Sequence, residues 1–423
     1  MRWSKTRASK EKTILIGVKF QGEDRARVED SLAELAKLTE TAGGVVSDGT
    51  IQELKAANPA YLIGKGKVEY LKNNIAAIDA DLVVFDNNLT PAQQYNLEKE
   101  FGVKVLDRTG LILDIFAQRA ETKEGKLQVE LAQLNYLLPH LVGKGLSLSR
   151  LAGGIGTRGP GETKLEIDRR KVRDRIARIR KDLEKVRKVR TLHRKRRNSI
   201  ACSSMSIIGY TNAGKSTLLN CLSHARVLVE DKLFATLDPT TRKIKLPDSR
   251  QVLISDTVGF INNLPHQLIA SFKATLEEVD ESDILLHVID VTHPRADDRI
   301  NSVNNVLKEI GVTEKPTIHL LNKIDKVNSA KNTIMYWQRV LDNCVAISAL
   351  KGEGVEDLLH MIEELIPYKL IKMRFKCPVE AGDLISKIYR NGRICRKEYI
   401  GEEVIIEAEV DKKLAHSLKA YSF

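Results

Sequence analysis

Hydrophobic residues along this chain occur in two patterns that alternate. Short continuous apolar runs predict buried strands, and the clearest lie at residues 13–18, 82–85, 103–106, 204–208, 252–254, 317–321 and 344–347. Between them, apolar residues three and four positions apart predict amphipathic helices, such as those from Ala26 to Leu38 and from Pro91 onward. Strands that alternate with helices are typical of parallel sheets covered by helices. The pattern therefore predicts an α/β fold class.

The middle of the chain has a longer helical pattern. Residues 164–197 carry one apolar stripe on a predicted helix of about 25 residues or more, formed by Leu165, Val172, Ile176, Ile179, Leu183, Val186 and Val189. A matching stripe lies between Thr109 and Leu141, at Leu113, Phe116, Leu127, Leu131, Leu134 and Leu138. We interpret the two stripes as the seam of a helical hairpin whose first helix ends at Pro139. The glycine-rich tip at residues 143–161 is predicted to be mobile.

Positive charge is concentrated on this hairpin. The formal net charge of the chain is +12, and lysine and arginine dominate residues 164–197. A localised excess predicts a polyanionic partner, and we favour nucleic acid over a helix that is basic only for solubility. Lys144, Arg150 and Arg158 at the tip are expected to contact RNA phosphates, with a plain flexible loop as the alternative.

Cysteine and hydropathy patterns narrow the class of protein further. The five cysteines are scattered without a Cys-x-x-Cys pair, which argues against a zinc site or a disulfide framework. No apolar run reaches the roughly 18 residues that a membrane-spanning helix needs. A reducing cytoplasm is the simplest location for such a chain.

A phosphate-binding loop follows the strand predicted at residues 204–208. The loop reads Gly209, Tyr210, Thr211, Asn212, Ala213, Gly214, Lys215 and Ser216, and Thr217 opens the helix after it. Its glycines let backbone N–H groups converge on an anion, Lys215 reaches the outer phosphates, and Ser216 offers a hydroxyl to Mg²⁺. The strand–loop–helix setting makes an ordinary glycine-rich turn a poor alternative.

A second motif is predicted to recognise the base of the nucleotide whose phosphates the loop binds. Asn322, Lys323, Ile324 and Asp325 follow the strand predicted at residues 317–321, at the edge where α/β sheets bind ligands. The Asp325 carboxylate can accept two hydrogen bonds from guanine, and adenine has no such donor pair. Ser348, Ala349 and Leu350 follow the next strand and are expected to bring a backbone N–H to the guanine oxygen. GTP is therefore the predicted substrate.

Two segments between these motifs complete the predicted hydrolytic site. One comprises Asp256, Thr257, Val258, Gly259 and Phe260; the other comprises Phe234, Ala235, Thr236, Leu237 and Asp238. Asp256 is expected to hold Mg²⁺ through water, and the Gly259 N–H to bind the terminal phosphate. A threonine must complete the magnesium shell, and we favour Thr236 over Thr240. Lys215, Thr236 and Gly259 are thus the expected catalytic groups.

The motifs and patterns together predict four units. They are an N-terminal α/β domain at residues 1–108, the basic helical hairpin at 109–197, a P-loop GTPase domain at 198–367 and a small β-containing C-terminal domain at 368–423. Short strands are predicted in the last unit at residues 384–389, 399–400 and 404–410. The segment Ile63–Lys67 is interpreted as a plain helix start rather than a phosphate site.

The order of these elements resembles the HflX-type GTPases of the Obg–HflX branch over nearly the whole chain. The matching stretches are residues 107–109, 124–134 and 159–166 and the strings GYTNAGKS, FATLD, DTVGF and NKID. The resemblance implies a GTPase that binds the large ribosomal subunit and its RNA and can split ribosomes under stress. It also implies an N-terminal region for which ATP binding has been proposed, although that region carries no complete ATP motif. We expect a monomer and no DNA partner.

Two residues leave alternatives open. Many GTPases place a water-orienting Gln where this chain has Phe260. Phe260, typical of the family it resembles, predicts slow hydrolysis until a partner arranges the water, and it also fits simple core packing. In related GTPases an asparagine at the place of Asn212 helps bind K⁺; the alternative is a loop-stabilising side chain.

A GTP-driven ribosome factor is the leading hypothesis. The alternative is a GTPase that acts as a timer in ribosome assembly or RNA maturation. A membrane-associated regulator is disfavoured, because the apolar stripe of the basic helix is aliphatic and lacks Trp.

Overall fold

The computed structural model of the 423-residue chain describes most of its length. The described residues are 10–149, 160–198, 203–223, 233–248, 250–262, 278–312, 315–327, 330–366, 370–379, 381–401, 403–411, 414–415 and 418–423. They form three sheets and a helical hairpin, which confirms the predicted α/β class with a P-loop domain and a β-containing C-terminal domain.

The N-terminal sheet is parallel and four-stranded. Its strands are β1 (Lys12–Phe20), β2 (Val45–Leu54), β3 (Leu82–Phe85) and β4 (Lys104–Asp107), in the order β2-β1-β3-β4. The helices are α1 (Arg25–Ala42), α2 (Lys65–Ile78), α3 (Pro91–Phe101) and α4 (Arg108–Arg119). All four residues of β3 are buried because helices cover both faces of the sheet.

The hairpin consists of α5 (Lys123–Ser149) and α6 (Pro160–Asn198). Its seam combines Leu127, Leu131, Leu134 and Leu138 with Val172, Ile176, Ile179 and Leu183. On the surface beside the seam, Arg175 forms a two-pronged ion pair with Glu130, at 2.7 and 2.8 Å. The predicted pairing of the two apolar stripes is therefore present.

The predicted start and end of the first hairpin helix were wrong. The chain leaves helical geometry at Ala120, so Leu113 and Phe116 belong to α4 and pack in the N-terminal core. Pro139 lies inside α5, which continues to Ser149, so the lost N–H donor and the crowding that a proline causes do not end the helix here. Residues 143–149 and 160–161 are therefore helical, and the rest of the predicted mobile tip lies outside the described residues.

The third unit is a six-stranded sheet. Its strands are β5 (Ser204–Gly209), β6 (Thr240–Lys245), β7 (Gln251–Asp256), β8 (Ile284–Asp290), β9 (Thr317–Asn322) and β10 (Cys344–Ala346). The order is β10-β9-β8-β5-β7-β6, and only the edge strand β6 is antiparallel to its neighbour. Described helices of this unit are α7 (Lys215–Ser223), α8 (Ala296–Glu309), α9 (Ala330–Val340) and α10 (Val355–Leu365).

The described part of the C-terminal unit contains a three-stranded antiparallel sheet and a helix beside it. The strands β11 (Leu370–Pro378), β12 (Gly392–Ile400) and β13 (Glu403–Asp411) pair in the order β11-β13-β12, and α11 (Gly382–Asn391) packs against them. The strand predicted at residues 384–389 was wrong. Leu384, Ile385 and Ile388 are one and four positions apart, which is helical spacing, and all three pack against the sheet.

None of the described helices combines the length and the apolar character that crossing a bilayer requires.

Candidate nucleotide site

A cleft opens at the carboxyl ends of the central strands of the six-stranded sheet. It is lined by Thr211, Asn212, Gly214, Lys215, Ser216, Thr217, Phe234, Ala235, Thr236, Thr257 and Gly259. The loop after β5, the segment before β6 and the loop after β7 all contribute to it. The structure thus brings together residues of the phosphate loop and of the two predicted hydrolytic segments, 234–238 and 256–260.

The phosphate loop needs its two glycines for geometric reasons. Gly209 and Gly214 have φ of 148° and 102°, which are costly for other residues. A Cβ at Gly209 would also collide with the Val288 carbonyl oxygen, and one at Gly214 would collide with the Asn322 amide. The loop can therefore present its N–H groups to an anion only with glycine at these positions.

Lys215 is the buried cation of the cleft. Its ammonium donates to the carbonyl oxygens of Tyr210 and Gly209, at 2.8 and 3.2 Å. Burial lowers the pKa of Lys215 to about 8, partly opposed by the nearby Asp256 carboxylate. An anion in the cleft would stabilise the charged form, which is the electrostatic basis for phosphate binding.

Three oxygen donors meet beside Lys215. Ser216 Oγ donates to Asp256 Oδ2 at 2.7 Å, and Thr236 Oγ1 lies 2.9 Å from Ser216 Oγ and 3.1 Å from Asp256 Oδ2. Burial raises the pKa of the Asp256 carboxyl, and its Oδ1 has no hydrogen-bond partner among the described residues. Hydroxyl and carboxylate oxygens are the ligands that Mg²⁺ prefers, so the set fits this ion.

Thr240, the alternative to Thr236, lies elsewhere. It is the first residue of β6 and pairs in register with Asp256 across the strand pair. Its backbone position is therefore fixed by the sheet. The Thr236 hydroxyl already contacts both other donors, and this geometry favours Thr236 as the threonine of the magnesium shell.

The residues predicted to read the base are held by a chain of hydrogen bonds. Asn322 donates to the Ala213 carbonyl at 2.8 Å and accepts from the Ala349 N–H at 3.0 Å, so it links the phosphate loop to the loop after β10. Ser348 donates to Asp325 Oδ1 at 2.8 Å. These contacts fix the Asp325 carboxylate before a base arrives, which favours selectivity because little reorganisation is needed.

The remaining predicted base-site residues have distinct surroundings. Lys323 donates to Asp290 Oδ2 at 2.7 Å and to the Asn212 carbonyl at 2.8 Å. Ile324 begins a short 3₁₀ helix that ends at Lys326. Leu350 is 73% exposed, so its apolar side chain is available to a planar ligand.

The segment after β7 is bonded to the phosphate loop. The Thr211 N–H donates to the Phe260 carbonyl at 2.7 Å, and the Phe260 N–H donates to the Gly209 carbonyl at 3.1 Å. Thr257 is fully buried and its hydroxyl donates to the Ile207 carbonyl, while Val258 packs in the N-terminal core. The Phe260 side chain is buried among apolar residues of the domain.

The segment before β6 is joined to the N-terminal domain and the hairpin. Leu233, Phe234 and Leu237 are buried in the same core as α4 and the start of α5, and the Phe234 ring meets the Phe116 ring edge-on at 4.7 Å. Asp238 accepts from the backbone N–H groups of Glu121 and Thr122, both at 2.9 Å, and from the Thr122 hydroxyl at 2.5 Å. Asp238 was predicted to bind nucleotide; here its carboxylate caps the N-terminus of α5.

Tyr210 makes a second connection between domains. Its hydroxyl donates to Glu34 of α1 at 2.7 Å and accepts from the Asn262 N–H at 2.8 Å. Glu34 is also paired with Arg108, which is buried and bonds Asp86 at 2.6 Å. The sequence analysis did not identify Glu34 as a residue that connects the domains. Its position on the apolar face of the helix predicted at residues 26–38 could have indicated this role, because a charged residue there needs a partner.

This loop, donor set and base pocket on one mainly parallel sheet define a P-loop nucleotide hydrolase that reads guanine. Four family profiles cover most of the chain: GTP-binding GTPase N-terminal at residues 29–117, GTP-binding GTPase Middle Region at 119–197, 50S ribosome-binding GTPase at 204–323 and HflX C-terminal domain at 334–419.

Known proteins agree with this assignment. The chain is 47% identical over 415 residues to GTPase HflX of Caldanaerobacter subterraneus subsp. tengcongensis, covering 97% of this chain and 94% of the relative. It is 43% identical over 401 residues to GTPase HflX of Escherichia coli, covering 95% and 93%. The chain belongs to the HflX family of GTPases, and GTP is its substrate.

The chain also has a weaker similarity to a solved structure. A GTP-binding protein of the hyperthermophilic archaeon Sulfolobus solfataricus, crystallised with GDP, is 28% identical. The match covers 84% of this chain and 98% of the archaeal one, with a TM-score of 0.45.

Proposed function

We propose that this GTPase is a cytoplasmic factor that binds the large ribosomal subunit as a monomer through its basic hairpin and releases it after GTP hydrolysis. Splitting or rescue of ribosomes under stress is the outcome that we assign to this cycle. The observation that carries the proposal is the contact between the segment around Thr236 and the base of the hairpin. Through that contact, the presence or absence of the terminal phosphate of GTP can control the basic hairpin, which is the element proposed to bind RNA.

The bound nucleotide and the hairpin are linked by a short path. Thr236 contacts the donors Ser216 and Asp256, and two residues later Asp238 caps α5 at Thr122. Thr236 would hold a Mg²⁺ ion that is bound together with GTP, and loss of the terminal phosphate would release the Thr236 segment. We infer that hydrolysis frees Asp238 from the hairpin and so lowers the affinity of the hairpin for the ribosome.

Within the site, the chain's own groups stabilise charge on the phosphates. Ser216 and Thr236 would hold Mg²⁺ directly and Asp256 would hold it through water; the ion supplies charge neutralisation when bound. Lys215 binds the outer phosphates, and the Gly259 N–H donates to the terminal one. A K⁺ ion beside Asn212 would add a further positive charge, and this remains a prediction.

The surface of α6 supports an RNA partner. Arg173, Arg180 and Arg187 recur every seven residues and are exposed, so they lie on one side of the helix. The family profile matched by residues 204–323 is described as a 50S ribosome-binding GTPase, which points to the large subunit as the source of that RNA.

The proposal is tested by single-turnover GTP hydrolysis with and without isolated large subunits. Phe260 cannot orient water, so we expect slow hydrolysis alone and at least a tenfold rise with large subunits. Small subunits and phospholipid vesicles serve as controls. Equal rates in all four conditions would contradict ribosome activation, and stimulation by vesicles alone would favour the membrane alternative.

Replacing Arg173, Arg180 and Arg187 together by Gln is expected to weaken binding to the large subunit. The slope of log affinity against log salt concentration is negative, and each lost phosphate contact should reduce its magnitude by about 0.7–0.9. Basal hydrolysis should stay near the wild-type rate because the three side chains lie outside the nucleotide cleft. Sedimentation over a salt series measures the slope.

The matched control replaces the same three residues by Lys, which keeps the charge. This variant should retain most of the salt dependence. An unchanged slope in the Gln variant, with its helix content preserved by circular dichroism, would remove this face of α6 from the interface.

A further inference from the structure

The Tyr210 hydroxyl joins three parts of the molecule at one point. Tyr210 belongs to the phosphate loop and is 4% exposed. Its hydroxyl donates to Glu34 Oε1 of α1 at 2.7 Å and accepts from the Asn262 N–H at 2.8 Å. Asn262 lies three residues after Gly259, in the segment that follows β7. One hydroxyl therefore connects the N-terminal domain and this segment to the phosphate loop.

The direction of these two hydrogen bonds is set by Glu34. A tyrosine hydroxyl has one proton to donate, so it accepts well from the Asn262 N–H only when that proton points elsewhere. The other Glu34 oxygen, Oε2, is paired with the buried Arg108 guanidinium, so both carboxylate oxygens act as acceptors. Burial, together with the charge of Glu34, raises the pKa of the Tyr210 hydroxyl. The hydroxyl thus keeps its proton and directs it at Glu34.

The bond to the Asn262 N–H concerns the terminal phosphate. The Gly259 N–H is the proposed donor to that phosphate, which GTP has and GDP lacks, and the inference rests on this proposed role. The neighbouring Phe260 is bonded to the phosphate loop through backbone groups. Two residues later, the Tyr210 hydroxyl adds a bond whose direction depends on the N-terminal domain. A bond that holds this segment in place should therefore raise the affinity for GTP more than the affinity for GDP.

We propose that Glu34 is a positioning residue that favours GTP over GDP. It orients the Tyr210 hydroxyl, and the hydroxyl holds the segment that carries Gly259 against the phosphate loop. Glu34 does not line the nucleotide cleft, so its effect on the nucleotide is transmitted through Tyr210. The same helix makes a second contact with the GTPase domain, where Arg295 pairs with Asp24 at 2.7 Å. That ion pair joins the two domains without a residue in the cleft.

The test measures the affinities of Glu34→Gln for a non-hydrolysable GTP analogue and for GDP. Arg108 has only donors, so the amide oxygen of Gln must face it and the amide NH₂ group faces Tyr210. The Tyr210 proton then loses its acceptor and competes with the Asn262 N–H for the same position. We expect the ratio of analogue affinity to GDP affinity to fall roughly three- to tenfold, with GDP affinity within about twofold of wild type.

Tyr210→Phe removes the hydroxyl and keeps the ring, so it should lower the same ratio. Combining it with Glu34→Gln should cause no further decrease, because Glu34 acts through that hydroxyl. Asp24→Asn is the matched control, since it weakens the ion pair with Arg295 and keeps the side-chain cap of α1. The control should leave the ratio unaltered. An equal decrease in Asp24→Asn would indicate a general effect of domain docking and would overturn the role of Glu34.

Gly259→Ala tests the proposed phosphate donor separately. Its Cβ would lie 2.8 Å from the Thr211 methyl carbon, so the change should lower analogue affinity more than GDP affinity. If Gly259→Ala leaves the ratio as in wild type, the assignment of Gly259 fails and the role of Glu34 fails with it. If Gly259→Ala lowers the ratio and Glu34→Gln does not, or if Glu34→Gln and Tyr210→Phe are additive, the role of Glu34 alone is overturned. No ribosomal subunit is present, so ribosome binding does not affect the result.

Discussion

Replacing Asp325 by Asn is expected to change the nucleotide preference of the protein from GTP to xanthosine triphosphate. The Asp325 carboxylate offers two acceptors to the N1–H and the amine of guanine. Asn offers one acceptor and one donor, so it faces the guanine amine with an N–H group. Loss of the hydrogen bond to the amine, at about 1.5–3 kcal/mol for a bond to a charged group, predicts a decrease in GTP affinity of roughly 10- to 150-fold.

The same change should create affinity for the xanthine base, which has a carbonyl where guanine has its amine. Ser348 already holds one oxygen of residue 325 at 2.8 Å, so the new amide group is kept close to the plane of the old carboxylate. Competition binding with both triphosphates measures the switch. Asp357→Asn, an exposed change in the same domain, is the control and should leave the preference unaltered. A variant that keeps GTP affinity and ignores the xanthine nucleotide would show that Asp325 does not read the base.

Replacing Asp238 by Ala is expected to uncouple the hairpin from the nucleotide. Asp238 accepts three hydrogen bonds at the start of α5 and lies two residues from Thr236. Coupling between sites is typically worth about 1–3 kcal/mol, so the ratio of large-subunit affinities with GTP analogue and with GDP should fall by about 5- to 150-fold. Nucleotide affinity itself should change little, because Asp238 does not line the cleft.

Thr122→Val provides the matched partner for this prediction, since it removes the hydroxyl donor from the other side of the contact. The two changes should be non-additive in a double-mutant cycle, because both remove the same hydrogen bond. Subunit binding by Asp238→Ala that still depends on the nucleotide as in wild type would exclude this cap as the coupling element.

The sequence was most informative where a motif is local. The phosphate loop, the strand before it and Asn322–Asp325 can be read from one stretch of chain, because each requires particular residues at fixed spacing. The apolar stripes of α5 and α6 were equally readable, since the side chains that pair across the hairpin follow helical spacing.

The features that could not be predicted from the sequence depend on contacts between residues that are far apart in the chain. Glu34 meets Tyr210 across 176 positions, and Asp238 meets Thr122 across 116 positions. No local pattern links such pairs. The helix at residues 382–391 was mistaken for a strand because its apolar run is short, and Pro139 was taken as a helix end although α5 tolerates it. Short runs and single prolines are ambiguous without their tertiary surroundings.

The most direct test of the central claim is co-sedimentation of the full chain with isolated large ribosomal subunits in the presence of a non-hydrolysable GTP analogue or of GDP. If the Thr236 segment couples the nucleotide to the hairpin, the analogue-bound protein sediments with the subunits and the GDP-bound protein stays largely in the supernatant. Equal binding in the two nucleotide states, or no binding in either, would contradict a GTP-controlled ribosome factor.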